Sequence, residues 1–137
     1  MFLGDSIRMA KLKILVFGNP LVAGDSLPLR LMSALRKRFP SVEFREFDAA
    51  ENLEDEGRDL LILDSAQGPD HVVLLEGIDK IETGKIYSMH DFDLALTLKI
   101  LVKLKLLDSV RIIAVPANHP EKKALAETCT IISSLKR

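Results

Sequence analysis

Short apolar runs that alternate with helically spaced leucines restrict the possible folds of this chain more than any other sequence feature. Residues 12–17, 60–63 and 110–115 are nearly continuously apolar, which is typical of parallel strands covered on both faces. Residues 42–48 alternate between apolar and polar side chains, as in a strand nearer to an edge, and residues 72–76 are a further strand candidate. The pattern therefore predicts about five strands.

Three other segments carry apolar residues at the spacing of a helix. They are Leu27, Leu31 and Leu35; Leu94, Leu98, Leu101 and Val102; and Ala124, Thr128, Ile131 and Leu135. Pro28 and Pro120 precede or open two of these segments, where a first helical turn tolerates proline because its N–H groups are not used. Alternating strands and helices predict a three-layer α/β fold, in which a twisted, mostly parallel sheet of about five strands has helices on both faces.

The composition indicates one globular domain that spans residues 1–137. Hydrophobic residues make up 47% of the chain and charged residues 28%, and no Gly/Ser-rich or Pro-rich stretch resembles a linker. We expect residues 1–8, which precede the first predicted strand, to be a dispensable extension. The formal net charge of −1, with no dense cluster of Lys and Arg, gives no electrostatic reason to expect nucleic acid or a membrane as partner. A protein or a small molecule is the expected partner.

Cysteine content and the lengths of the apolar stretches predict a location inside the cell. Cys129 is the single cysteine and cannot form an internal disulfide, so we expect a cytoplasmic protein. Residues 94–107 form the most apolar stretch, but they include three lysines and are fewer than the roughly 20 residues that a membrane span needs. We therefore predict a packed helix there.

Polar residues that follow the apolar runs mark the expected functional edge of the sheet, because ligands of open α/β sheets bind beyond the carboxyl ends of the strands. Asp25 lies where the loop after the first strand opens into a helix, Asp64 follows the run at residues 60–63, and His90 precedes the helix of Leu94. Each has a structural alternative: Asp25 as an N-cap, Asp64 as a loop cap, and His90 as an exposed or capping imidazole. Together, two carboxylates and one imidazole supply an O/O/N ligand set to a divalent transition metal and leave positions open for water or substrate.

Motifs for other chemistries are absent or weak in the sequence. It contains no glycine-rich nucleotide-binding loop and no H-E-x-x-H zinc motif, so we expect no organic cofactor. Ser65 lacks the G-x-S-x-G setting of a nucleophile elbow, and Cys129 lies on an apolar-periodic helix as a packed thiol would. His71 and His119 are predicted to be loop residues outside the site.

The order and spacing of several short motifs resemble those of the hydrogenase maturation endopeptidases, which remove a C-terminal extension from the large subunit of nickel–iron hydrogenases after nickel insertion. The resemblance covers most of residues 12–116. The residues that carry it are Gly18-Asn19 with Leu21 before Asp25, Arg30 in the helix that follows, Asp64 at the end of an apolar strand, and His90 opening a Leu-rich helix.

The resemblance implies a peptidase of the aspartyl type whose catalytic and metal-contacting residues are Asp25, Asp64 and His90. It also implies that the divalent metal is nickel carried by the substrate, and that the partner is a hydrogenase large-subunit precursor. The oligomeric state is not predicted by the resemblance.

Two stretches depart from the family pattern. The Asp-Gly-Gly-Thr that usually follows the second strand is replaced by Asp48-Ala49-Ala50-Glu51, and the acidic motif reads Gly24-Asp25-Ser26. Asp48 ends its strand at the same edge and is predicted to orient the substrate or a helix terminus. The departures leave open an alternative, a metal-checking chaperone or binding module of the same fold that does not cleave its client. A small-ligand α/β protein without metal is a third alternative.

Overall fold

Six strands and three helices make up the described part of the structure, a computed structural model that describes residues 12–18, 21, 26–47, 52–77, 79, 87–88 and 94–136. The strands are β1 (Lys13–Val16), β2 (Glu43–Glu46), β3 (Asp59–Gln67), β4 (Val73–Glu76), β5 (Tyr87–Ser88) and β6 (Ser109–Pro116). The helices are α1 (Leu27–Arg38), α2 (Leu94–Lys103) and α3 (Glu121–Leu135). A short 3₁₀ turn at Leu53–Glu56 precedes β3.

The strands form one sheet in the order β2-β1-β3-β6-β4. β1 pairs in parallel with β2 and β3, and β3 pairs in parallel with β6, whereas β4 runs antiparallel beside β6. β5 is also antiparallel and pairs with Ala66 and Gln67 at the end of β3. The predicted α/β fold with a mostly parallel sheet is therefore confirmed. β5 was not predicted, because a strand of two residues is too short to produce a periodic pattern.

Helices cover both faces of the sheet, which gives the three predicted layers. On one face, apolar residues of α1 and α3 pack against the sheet: Leu27, Leu31, Leu35, Ala124 and Ile132 belong to one buried cluster with Ile14, Leu61, Leu63 and Ile113. On the other face, α2 supplies Leu98 and Leu101 to a second cluster with Leu15, Ile62 and Ile112. Each fully buried leucine or isoleucine contributes about 1.5–3 kcal/mol to stability.

The two prolines lie at helix starts, as the sequence predicted. Ser26 is the N-cap residue of α1 and Pro28 lies in its first turn, while Pro120 is the N-cap residue of α3. Three basic residues in the last turn of α1 complement the negative end of its dipole. Within the described ranges, no helix has the length and apolar character needed to cross a bilayer.

The predicted end of the third strand was wrong, and the difference concerns a candidate site residue. Asp64 was expected on a loop after residues 60–63, but β3 continues to Gln67 and Asp64 lies inside it. The change from apolar to polar residues at Asp64-Ser65 indicated a strand end, whereas pairing with β6 continues through Ala66 and Pro116. Backbone pairing with β6 therefore extends β3 past the point where its side chains become polar.

Candidate functional site

Asp64 is a buried carboxylate near the carboxyl ends of the parallel strands. Its exposed fraction is only 3%. Side chains alternate between the two faces along a strand, and Ile62 and Ala66 both belong to the cluster beneath α2. Asp64 therefore projects from the same face as these two residues, into the layer between the sheet and α2.

The neighbours of Asp64 across the sheet are apolar. Ala114 of β6 is its register partner, and on the other side the Phe17 N–H donates to the Leu63 carbonyl at 2.9 Å, which places Phe17 beside Asp64. Phe17 in turn stacks on Phe47, with ring centroids 5.1 Å apart and planes inclined by 14°. Packing alone favours an apolar residue at this position, because burying a carboxylate costs several kcal/mol before its partners compensate.

The start of α1 is held in place by an arginine bridge. Ser26 is 92% buried and does not bond a backbone N–H of its own helix through its hydroxyl; instead its Oγ accepts a bond from Arg30 Nε at 3.2 Å. Arg30 Nη1 also donates to Glu121 Oε1 of α3 at 2.9 Å. The bridge thus ties the first turns of α1 and α3 together, directly after Asp25 in the chain.

The other residues predicted at this edge are not among those that the structure describes. Asp25, Asp48 and His90 all lie outside the described residues. The N-cap residue of α1 is Ser26, and its side chain makes no capping hydrogen bond. Among the described residues, no group of three or more His, Cys, Asp or Glu side chains is arranged to hold a metal ion. The ligand set Asp25, Asp64 and His90 therefore stays a prediction.

A polar cleft of about 350 Å³ lies at the same edge, where β3 and β6 end. Its walls are the connections from β3 to β4 and from β6 to α3, and its lining includes Ala66, Gln67, Asp70, Asn118 and His119. His119 was predicted to be a loop residue outside the site. It does lie in a loop, but its side chain is 93% buried in the wall of the cleft.

Glu127 of α3 fixes the His119 ring. Glu127 Oε1 lies 2.9 Å from His119 Nε2 and accepts a second bond, also of 2.9 Å, from the Val72 N–H. The Val72 N–H is the main cause that lowers the pKa of Glu127, with His119 contributing in the same direction against the effect of burial. Glu127 is therefore a carboxylate at neutral pH and accepts hydrogen bonds only.

Neither His71 nor Cys129 is among the residues that line the cleft. His71 is exposed and lies 2.5 Å from Asp70, whose pKa it lowers. Cys129 is buried on α3, and burial raises the pKa of its thiol. The sequence prediction of a packed, unreactive cysteine is consistent with that burial, since the thiolate is the nucleophilic form.

Comparison with known proteins shows the fold and does not extend to sequence families. No protein-family model and no curated protein matches this chain. Solved structures with the same fold include the endopeptidase HycI from Escherichia coli, with 16% identity, a TM-score of 0.56 and 92% of each chain covered. A hydrogenase 3 maturation protease has 17% identity and a TM-score of 0.55 over 89% of each chain. A hydrogenase 2 maturation peptidase from Thaumarchaeota archaeon SCGC_AB-539-E09 has 18% identity and a TM-score of 0.54, over 91% of this chain and 98% of its own.

These likenesses confirm the resemblance read from the motifs at the level of the fold. Two of these matched structures are named as hydrogenase maturation enzymes and the third as an endopeptidase, and the matches cover 89–98% of the chains compared. At identities of 16–18%, what is shared is the α/β architecture.

Proposed function

We propose that this chain is a cytoplasmic endopeptidase that removes the C-terminal extension of a nickel–iron hydrogenase large-subunit precursor once nickel has been inserted. The observation that carries the proposal is the burial of Asp64 in an otherwise apolar row, at the carboxyl edge of a fold shared with maturation proteases. Asp64 is also the residue that the family motif assigns to this strand. Fold alone would not justify a function, but a buried acidic residue at the assigned position supports one.

In this proposal the nickel is part of the substrate. Asp25, Asp64 and His90 contact the nickel of the docked precursor, which brings the scissile peptide bond to the carboxyl edge of the sheet. Water adds to the scissile carbonyl carbon, the C–N bond breaks, and the proton released by water is transferred to the departing amine. A carboxylate of the site accepts that proton first, acting as a general base.

Two substitutions of Asp64 separate its two possible contributions. Asp64→Asn keeps an oxygen that can ligate nickel but cannot accept the proton of the attacking water, whereas Asp64→Ala removes both capacities. If Asp64 is the general base, both variants lose cleavage and Asp64→Asn still binds the nickel-loaded precursor. If Asp64 acts as a ligand alone, Asp64→Asn keeps part of the activity.

The test is to incubate the purified chain with nickel-loaded and nickel-free large-subunit precursor and to measure the masses of the products. We expect a shortened large subunit with the nickel-loaded precursor only. A stable complex without shortening would instead support the metal-checking chaperone, the alternative raised by Asp48-Ala49-Ala50-Glu51 in place of the usual motif. No complex and no shortening with any precursor would contradict both.

Because nickel arrives with the client, the isolated chain should retain little metal. Two carboxylates and one imidazole are a sparse set compared with the closed four-ligand sites that retain structural zinc. Metal analysis after dialysis should find much less than one equivalent. One equivalent that survives dialysis and is unchanged in His90→Ala would contradict this part of the proposal.

A further inference from the structure

The polar cleft lies within reach of a chain bound at Asp64. Ala66, one of the residues that line the cleft, is two residues beyond Asp64 on the same strand. Two residues of a strand span about 6.6 Å, so an extended peptide whose reacting bond lies at Asp64 reaches the cleft with its next two or three residues. The volume of about 350 Å³ is at the small end of ligand sites, which suits a short peptide segment.

The tautomer of His119 follows from its partner. Glu127 accepts hydrogen bonds only, so His119 Nε2 carries a proton, and in a ring that carries this proton alone Nδ1 is an acceptor. Within the described residues, Thr128 Oγ1 is the single fully buried side-chain nitrogen or oxygen that lacks a partner. His119 bonds to Glu127 through Nε2, and its side chain lines the cleft.

The ring is rigid because its partner is itself fixed from a second direction. Glu127 is held by the Val72 N–H at the start of β4, and His119 is held by its own N–H bond to the Pro116 carbonyl at 3.1 Å. An acceptor that is preorganised in this way loses little entropy when a donor binds. Gln67 and Asn118 line the same cleft and each offers a donor and an acceptor, as a peptide group requires.

We propose that His119 is a substrate-positioning residue whose Nδ1 accepts a hydrogen bond from a main-chain N–H of the polypeptide client, seated in the cleft between the β3–β4 and β6–α3 connections. The inference rests on the proposed function, because the client is the precursor that we propose to bind at the carboxyl edge of the sheet. The contact from His119 is separate from those of the motif residues with nickel. Recognition then depends on the main chain of the client as well as on the nickel that the client carries.

Two substitutions of His119 separate its two nitrogens. In His119→Gln the amide nitrogen replaces Nε2 and keeps the bond to Glu127, while the acceptor at Nδ1 is lost. In His119→Asn the shorter side chain places its amide oxygen near the position of Nδ1 and gives up the bond to Glu127. His71→Gln is the matched control, because His71 lies in the exposed part of the β3–β4 connection and bonds to Asp70 instead.

The measurement is steady-state cleavage of nickel-loaded precursor, with the melting temperature of each variant recorded by circular dichroism. We expect His119→Gln to raise KM about fivefold with kcat nearly unchanged, the effect of one lost hydrogen bond that is equally strong in ground and transition states. His119→Asn should recover part of this KM, and His71→Gln should match the wild type. Gln67→Ala, which leaves the His119–Glu127 bond intact, should raise KM two- to threefold and serves if a His119 variant fails to fold.

Each contrary result identifies what fails. Folded His119→Gln with wild-type KM, or equally high KM values in His119→Gln and His119→Asn, would overturn the inference and leave the peptidase intact. A fall in kcat at constant KM would also overturn it, because His119 would then act in the chemical step. A wild-type chain that neither binds nor cleaves the precursor would overturn the proposed function, and the inference with it.

Discussion

The two ends of the parallel sheet use their charged residues differently. At the amino end, Glu56 of the 3₁₀ turn bonds to Lys13 of β1 at 3.0 Å and to Arg45 of β2, so one carboxylate joins three elements. Arg58 and Asp108 form a two-pronged pair at 2.9 and 3.1 Å where β3 and β6 begin. These charges satisfy one another within the chain.

At the carboxyl end, a buried acidic residue lies near a polar cleft. Asp64 lies between apolar register neighbours, and His119, which bonds to Glu127 through one ring nitrogen, lines the cleft. Groups that pair with one another contribute to stability, whereas polar groups held in place beside a cleft are suited to binding and catalysis. The comparison predicts that substitutions at the amino end change stability and those at the carboxyl end change activity.

Asp64→Asn should have the largest effect and should act on activity alone. With Asp64 as the general base, we expect cleavage of nickel-loaded precursor to fall about a thousandfold, because asparagine cannot accept the proton of the attacking water. The variant should remain folded, because asparagine has nearly the same shape as aspartate and keeps one oxygen acceptor. Asp59→Asn is the matched control on the same strand, and it removes an exposed carboxylate that accepts a bond from Ser109 Oγ. A denatured Asp64→Asn variant would mean that the residue is structural.

Glu56→Gln should show the opposite pattern. Its side chain is only 9% exposed and bonds to two cations, so we expect a loss of about 2 kcal/mol in unfolding free energy with cleavage unchanged. Urea unfolding measures the loss. Glu54→Gln, on the exposed side of the same turn, should leave stability within about 0.5 kcal/mol of the wild type. Reduced cleavage in folded Glu56→Gln would contradict the prediction that substitutions at the amino end change stability and not activity.

Acid should weaken the amino end through the same carboxylate. The hydrogen bond from Arg45, with Lys13 adding to it, holds the pKa of Glu56 below its ordinary value of 4.5. A lowered pKa in the folded chain gives stability that is complete above the ordinary value and is lost as the pH falls through the folded value. Melting temperatures from pH 6 to pH 3 should therefore fall less steeply in Glu56→Gln than in the wild type. If melting temperature falls equally steeply with pH in the variant and in the wild type, Glu56 is not a source of the acid sensitivity.

Arg30→Lys should have the smallest effect. Lysine keeps the charge beside Glu121 but cannot also bond Ser26 Oγ through a second nitrogen, so the start of α1 is held less firmly. We expect cleavage to fall two- to fivefold and stability by less than about 1 kcal/mol, because the pair is half exposed. Arg36→Lys, on the same helix but bonded to the Phe44 carbonyl, should cleave normally. Equal rates for both variants would argue against a role for the bridge.

The sequence predicted what depends on periodicity and missed what depends on distant contacts. β1, β6 and α1 follow from runs of apolar residues, and so does the position of Asp64 near the carboxyl edge. The length of β3 does not follow from such runs, because pairing with β6 extends β3 past the polar residues Asp64 and Ser65. The burial of His119 could not be predicted from the local sequence pattern. Its partner Glu127 is held by Val72, which is 55 residues away in the chain. The assignments of Asp25 and His90 remain predictions from motif order.

The pairing of β3 with β6 also determines when a newly synthesised chain becomes able to bind its client. Asp59 and Ser109, at the start of this pairing, are 50 residues apart, and β4 lies on the far side of β6 although it precedes it in the chain. Contacts between such distant residues form late, because a long loop must close first. A ribosome-bound chain that stops before residue 109 contains Asp64 but neither β6 nor the wall that carries His119. Recognition of a client should therefore begin only after β6 has been synthesised and has paired with β3.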